Sequence, residues 1–108
     1  MLNQQTIDQL KLNWPLAESM QCKTLIRIID PNQSWACYIY AMDPTNEDTV
    51  MCISEKQSRI IRHVFTSEMS LNTIQNAYNQ FGEYPIIDTE FRPQWTFHLF
   101  KKLQSRAT

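Results

Sequence analysis

Glycine is nearly missing from this chain: Gly82 is the one glycine among 108 residues. Phosphate-cradling loops and dinucleotide fingerprints need several glycines, because the backbone must approach the phosphate closely. The G-x-S-x-G nucleophile elbow of the α/β-hydrolases also needs two. The near-absence of glycine therefore argues against a nucleotide-dependent enzyme and against an ordinary α/β-hydrolase.

An excess of one charge is also lacking, since ten basic and eleven acidic residues give a net charge of −1. Such a chain has no overall field that would attract nucleic acid or an anionic membrane. The sequence also lacks an apolar run of roughly 18 residues and a basic-then-apolar signal pattern. We therefore expect a cytoplasmic protein with no membrane partner.

Cysteine and histidine are few and widely spaced. Cys22, Cys37 and Cys52 are an odd number with no close pair, which predicts buried thiols and neither a disulfide framework nor a CxxC motif. His63 and His98 lack a second ligand at HExxH or zinc-finger spacing. We expect no metal site, no cofactor and no catalytic cysteine.

The pattern of apolar residues predicts a single α+β domain over residues 1–108. Four alternating or β-branched runs at 22–30, 35–42, 49–54 and 59–65 predict an antiparallel meander, and 84–91 is a short extended segment at an edge. Helical spacing favours an amphipathic helix that ends before Pro15 and a second helix over 66–82 capped by Ser67 or Ser70. After Pro93 the tail favours a terminal helix, and the alternation of Trp95, Phe97 and Leu99 leaves a strand as the alternative. The predicted architecture is an antiparallel sheet of about four to five strands with two or three helices packed on one face.

Two Asp-Pro pairs, Asp30-Pro31 and Asp43-Pro44, predict tight turns in which the carboxylate accepts hydrogen bonds from local amides. The strand between them is strongly aromatic. Strict alternation predicts one face with the odd-numbered residues from Trp35 to Ala41 and the other face with Ala36, Tyr38 and Tyr40.

These turns, with the strand between them, resemble a small bacterial domain of unknown function found on plasmids and other mobile elements. The resemblance covers residues 22–93. It is carried by a P-x-x-x-W-x-x-Y strand, an acidic D-P turn and a late segment that ends in F-x-P, matched by Pro31, Trp35, Tyr38, Asp43, Pro44, Ile87, Asp88, Phe91 and Pro93. The family is rich in glycine around its second hairpin, where this chain has none. The resemblance implies an α+β fold and an accessory role, and it implies no mechanism.

The acidic segment near the C-terminus offers one candidate for chemistry. Asp88 and Glu90 are two residues apart on an extended segment, so their side chains would share a face and could divide acid and base roles. Exposed charges on an edge strand, paired with Glu83 and Arg92, are the alternative.

Aromatic and basic residues offer two candidates for binding. Trp35, Tyr38 and Tyr40 could anchor a protein partner if they face outward, because such rings are typical hot spots; core packing is the alternative. Four cations near the C-terminus lie among aromatic rings and could contact nucleic acid or an acidic protein surface; they are Arg92, Lys101, Lys102 and Arg106. Alternatively, these cations only form the solvated face of a helix that docks on the domain through its apolar side.

The sequence thus favours a small, non-catalytic interaction or regulatory protein that binds another macromolecule, with a protein as the expected partner. Its expected contacts are Trp35, Tyr38, Tyr40, Asp88 and Glu90. The first alternative is a nucleic-acid-associated accessory factor of a mobile element that uses the basic C-terminal residues. The second is a small hydrolase built on Asp88 and Glu90.

Overall fold

The computed structural model describes residues 2–107. Its helices are α1 (Gln4–Asn13), α2 (Leu71–Gln75) and α3 (Thr96–Ala107), and a 3₁₀ turn, Trp14–Leu16, follows α1. Its strands are β1 (Lys23–Thr24), β2 (Ile26–Ile29), β3 (Trp35–Asp43), β4 (Asn46–Gln57), β5 (Arg62–Ser70), β6 (Ile86–Ile87) and β7 (Gln94–Trp95). None of the helices in the described part of the chain is long and apolar enough to cross a bilayer.

The main sheet has five strands in the order β5-β4-β3-β2-β6, and all neighbouring strands are antiparallel. Strands β2 to β5 follow one another as a meander, and β6 returns to the free side of β2. A separate two-stranded ladder joins β1 to β7. The predicted α+β class and antiparallel meander are therefore confirmed.

The helices lie on both faces of the sheet, whereas the sequence led us to expect them on one. Leu10 of α1 and Ile74 of α2 pack with Ile39 on one face. Leu103 of α3 packs with Tyr40 on the opposite face. The physical reason is the central strand β3, which is buried along nearly its whole length and so presents apolar side chains in both directions.

An irregularity in β3 changes which side chains share a face. The register with β4 shifts between Ile39 and Ala41. Cys37 and Ile39 lie in the α1 side of the core as alternation predicts, but Ala41 joins Tyr40 on the α3 side. An extra residue in one strand reverses the alternation beyond it, which a strict period of two does not capture.

The second helix is much shorter than the helix predicted over residues 66–82. Residues up to Ser70 belong to β5, because they complete the ladder with β4. Ser70 then caps α2, as one of the two predicted caps, by accepting a hydrogen bond from the Thr73 N–H. The helix ends after five residues. Gly82 adopts its expected left-handed conformation, with φ of 76°, but in a loop and not at a helix end.

Both Asp-Pro turns form as predicted. Asp43 accepts hydrogen bonds from the Thr45 N–H and hydroxyl, each at 2.8 Å. Asp30 is buried, and its Oδ2 accepts from the Ser34 hydroxyl at 2.6 Å while its Oδ1 accepts from the Asn79 side chain at 2.9 Å. Asp30 therefore also joins the turn to the loop that follows α2.

The three cysteines are buried free thiols, as the sequence predicts. Burial raises the pKa of the Cys22 thiol, and the hydrogen bond with Thr96 only partly offsets this.

Candidate functional site

The aromatic strand is not an exposed binding surface. Tyr38 is 5% exposed and Tyr40 is 1% exposed, and Trp35 is half-buried against the α1 side of the core. Burial raises the pKa of Tyr40 to about 12. The tyrosines that we considered as partner contacts are core residues, because α3 covers their face of the sheet.

The hydroxyl of Tyr38 belongs to a polar chain that crosses three strands. Arg27 of β2 donates from Nε to the Tyr38 hydroxyl at 3.1 Å, and that hydroxyl donates to Glu55 of β4 at 3.1 Å. Burial raises the pKa of Tyr38, and Glu55 adds to this effect while Arg27 opposes it. Tyr38 is therefore a neutral connector between a cation and an anion.

Asp88 and Glu90 do not form a carboxylate pair that could share acid and base roles. Arg27 donates from Nη1 to Asp88 at 2.9 Å, and the Glu90 N–H donates to the other Asp88 oxygen at 3.0 Å. The Glu90 side chain is exposed in the turn beyond β6. Partial burial raises the Asp88 pKa, but the Glu90 N–H and Arg27 outweigh it and hold the pKa below its ordinary value. Asp88 is thus an ionised partner of Arg27.

Glu83 and Arg92, which the sequence suggested as charge partners of Asp88 and Glu90, have other hydrogen-bond partners in the structure. Arg92 donates to the carbonyls of Thr89 and Phe91 within its own loop. Glu83 accepts from the Asn79 side chain at 3.1 Å. The charge partner of Asp88 comes instead from β2, which pairs with β6.

The basic C-terminal residues do not form one patch. Lys102 and Arg106 line an open groove of about 230 Å³ between α3 and the sheet, together with Arg27 and Asp88. Lys101 instead lies over the Phe97 ring, with Nζ 5.6 Å from the ring centre. The structure therefore divides the basic set between this groove, another side of α3 and the loop that holds Arg92.

An exposed aromatic surface lies where α3 begins. We call it the Trp95 surface and define it by Leu16, Met20, Lys23, Trp95 and Phe97. Trp95 is 55% exposed, Phe97 is 47% exposed and Leu16 is also exposed. Two hollows of about 460 and 380 Å³ adjoin it and share Trp95 and Gln21 in their walls. Most of the large apolar side chains here are accessible to another molecule.

Three sets of contacts hold the Trp95 surface in place. Trp95 is paired with Lys23 in the β1–β7 ladder. The next residue, Thr96, donates its N–H to the Cys22 carbonyl at 2.9 Å, and its buried hydroxyl lies 2.9 Å from that of Thr24. The rings are therefore positioned by backbone pairing and not by a mobile loop.

Positive charge borders the rings of this surface. The Lys23 ammonium lies 5.3 Å from the centre of the Trp95 ring. Lys101 makes the equivalent contact with Phe97. Lys23 lines one of the hollows, and both ammonium groups lie beside aromatic rings of the surface. This favours a partner that brings carboxylates.

The sequence placed Trp95 and Phe97 among the C-terminal aromatic residues but did not single them out as a site. It gave no signal for Leu16, Met20 and Lys23, which come from a segment more than 70 positions earlier. Met20 also has a left-handed backbone, with φ of 57°, which no residue pattern announces.

In the part of the chain that the structure describes, no group of three or more His, Cys, Asp or Glu side chains is arranged to hold a metal ion. Comparisons with protein-family models, with curated proteins and with solved structures find no match for this chain. The resemblance to a small bacterial domain therefore stays a prediction.

Proposed function

We propose that this chain is a non-catalytic protein-binding module and that its partner docks on the Trp95 surface. The observation that carries the proposal is the exposure of Trp95 and Phe97 side by side on a segment held by the β1–β7 ladder. Exposed tryptophan with neighbouring aromatic and methionine side chains is typical of the energetic centre of a protein interface.

The charged groups beside the Trp95 surface indicate which kind of partner it binds. Lys23 lies over the Trp95 ring and Lys101 over the Phe97 ring, so the surface fits an apolar segment flanked by Asp or Glu. The apolar contacts supply most of the affinity, whereas exposed charges mainly set orientation and the rate of association. Binding is therefore expected to survive high salt but to be slower there.

Capture from native cell extract with matched variants tests the proposal. The Trp95→Ala variant should lose a protein that the unaltered chain retains at both low and high salt. Phe81→Ala is the matched control, because Phe81 is 65% exposed in the loop after α2, away from this surface. Equal retention by both variants would reject the Trp95 surface as the docking site.

Nucleic acid is the competing occupant, since the same rings could stack on bases beside the lysines. Titration with a single-stranded oligothymidylate, followed by tryptophan fluorescence, separates the two. Binding that disappears at high salt and weakens in Lys23→Glu and Lys101→Glu, whose ammonium groups lie beside these rings, would favour the nucleic-acid alternative. Fluorescence that does not change counts against the nucleic-acid alternative, and the capture experiment then decides on the protein partner.

A further inference from the structure

The sheet has one long open edge. Strand β5 pairs with β4 over nine residues, and no other strand of the described residues lies on its free side. Within residues 2–107, none of the backbone hydrogen bonds of turns and loops involves residues 62–69. The opposite edge, β6, has only two residues. An edge with unpaired N–H and C=O groups is a template for another strand.

Backbone alternation shows which residues of β5 face outward. The Gln57 N–H donates to the Ser34 carbonyl, so the backbone N–H and C=O of Gln57 point toward β3. In β4 the backbone groups of every second residue before Gln57 also point toward β3, and those of the residues between them point toward β5. The β5 residues bonded to those are His63, Phe65, Ser67 and Met69. The groups at the open edge therefore belong to Arg62, Val64, Thr66 and Glu68.

The charges of this edge are complementary to themselves. In an antiparallel pairing of two copies about Phe65, Arg62 lies opposite Glu68 of the second copy, and the reciprocal pair forms at the other end. Val64 lies opposite Thr66 in the same way. Opposite charges directly across two strands stabilise their pairing, and like charges destabilise it. The order of charges along β5 thus fits a second copy of this chain.

The exposed apolar side chains of the β4–β5 hairpin follow the same register. Phe65 is exposed and would meet its own copy at the two-fold axis. Ile61, next to the start of β5, is also exposed. The register puts Ile61 opposite the partly buried Met69 of the second copy, so the pairing covers the exposed side chains of Ile61 and Phe65.

From these observations we infer that two copies of this chain associate through β5 and form one continuous ten-stranded sheet. The interface is isologous, because residues 62–68 of β5 serve both copies. It is separate from the Trp95 surface, which lies at the start of α3. The inference therefore does not depend on the proposed function.

Charge reversal at the two ends of β5 tests the pairing. Glu68→Arg and Arg62→Glu should each raise the dissociation constant about tenfold or more, because each places like charges opposite one another twice. Arg62→Glu also removes the 3.6 Å ion pair of Arg62 with Glu55 in its own chain, so Glu68→Arg is the cleaner single variant. A mixture of the two variants should recover association as a heterodimer, since both cross-strand pairs are then Arg with Glu. Light scattering after size exclusion, over a range of concentrations, measures this, and circular dichroism confirms that each variant is folded. A single chain at every concentration, or no recovery in the mixture, would overturn the inference.

A cross-linking experiment fixes the register independently. Residues opposite each other in a pair without backbone hydrogen bonds have Cα atoms about 4.5 Å apart, within the range that a disulfide bridges. Phe65→Cys should therefore form a disulfide-linked dimer under mild oxidation. Phe81→Cys provides a control at a more exposed position, 65% against 40% for Phe65, and the native thiols are buried. Equal cross-linking of the two variants would contradict the register.

Discussion

Arg27 lies 2.9 Å from Asp88, 61 residues further along the chain, and this ion pair ties the segment after β6 to β2. Both side chains are partly buried, so water screens the pair less than it screens a fully exposed one. The partial burial of Arg27 lowers its pKa, but its bonds to Tyr38 and Asp88 outweigh this and raise it. Both partners are ionised at neutral pH.

The first prediction concerns acid stability. The folded pKa of Asp88 is lowered, so the stability that this group contributes is present above its unfolded pKa of about 4 and is lost as pH falls through the folded value. Asp88→Asn should therefore reduce stability at neutral pH and flatten its decrease below about pH 4. Urea unfolding between neutral and acidic pH measures both effects. The exposed Glu90→Gln is the control and should keep the steep decrease; a D88N curve as steep as the unaltered one would contradict the prediction.

A second prediction compares the two Asp-Pro turns. Burial raises the pKa of Asp30, but its hydrogen bonds from Ser34 and Asn79 outweigh this and lower the pKa. Asp30→Asn replaces an acceptor with a donor that faces another donor, and should destabilise the fold by about 1 to 3 kcal/mol. Asp43→Asn, in an exposed turn of the same sequence type, should change stability less. Equal shifts in the urea midpoint of the two variants would show that Asp30 does not tie its turn to the loop after α2.

The third prediction tests the packing of α3 on the sheet. Leu103 is buried between α3 and the face that holds Tyr40. Leu103→Ala should leave a cavity and cost about 2 to 5 kcal/mol in the free energy of unfolding. Leu12→Ala, which truncates an exposed side chain on α1, should stay within about 0.5 kcal/mol. A small effect at Leu103 would mean that α3 does not help to hold the sheet.

The sequence predicts the elements that depend on local patterns. Helix α1, the meander and both Asp-Pro turns follow from spacing and turn chemistry alone. The helix over 66–82 fails because helical spacing of apolar residues does not ensure their burial: Tyr78 and Phe81 are exposed. Instead, Asn79 accepts hydrogen bonds from the N–H groups of Phe81 and Glu83 and stabilises a turn there.

The contacts that define the candidate sites come from distant parts of the chain. Asp30 meets Asn79 across 49 residues, and Lys23 meets Trp95 through the pairing of two short strands. Local propensity carries no information about such contacts, because the register of β1 against β7 is set only when the whole fold assembles. This is why the sequence points to the aromatic strand β3 and the structure points to the start of α3.

The scarcity of glycine has a further consequence for the backbone. Met20 and Gln33 both adopt left-handed conformations, with φ of 57° and 59°, at positions where most chains use glycine. Each costs conformational energy that the rest of the fold must offset. Met20 belongs to the Trp95 surface, so the fold already fixes the backbone of this part of the surface before a partner binds. A partner that docks there binds a preorganised surface, so the conformational entropy lost on binding comes mainly from the partner.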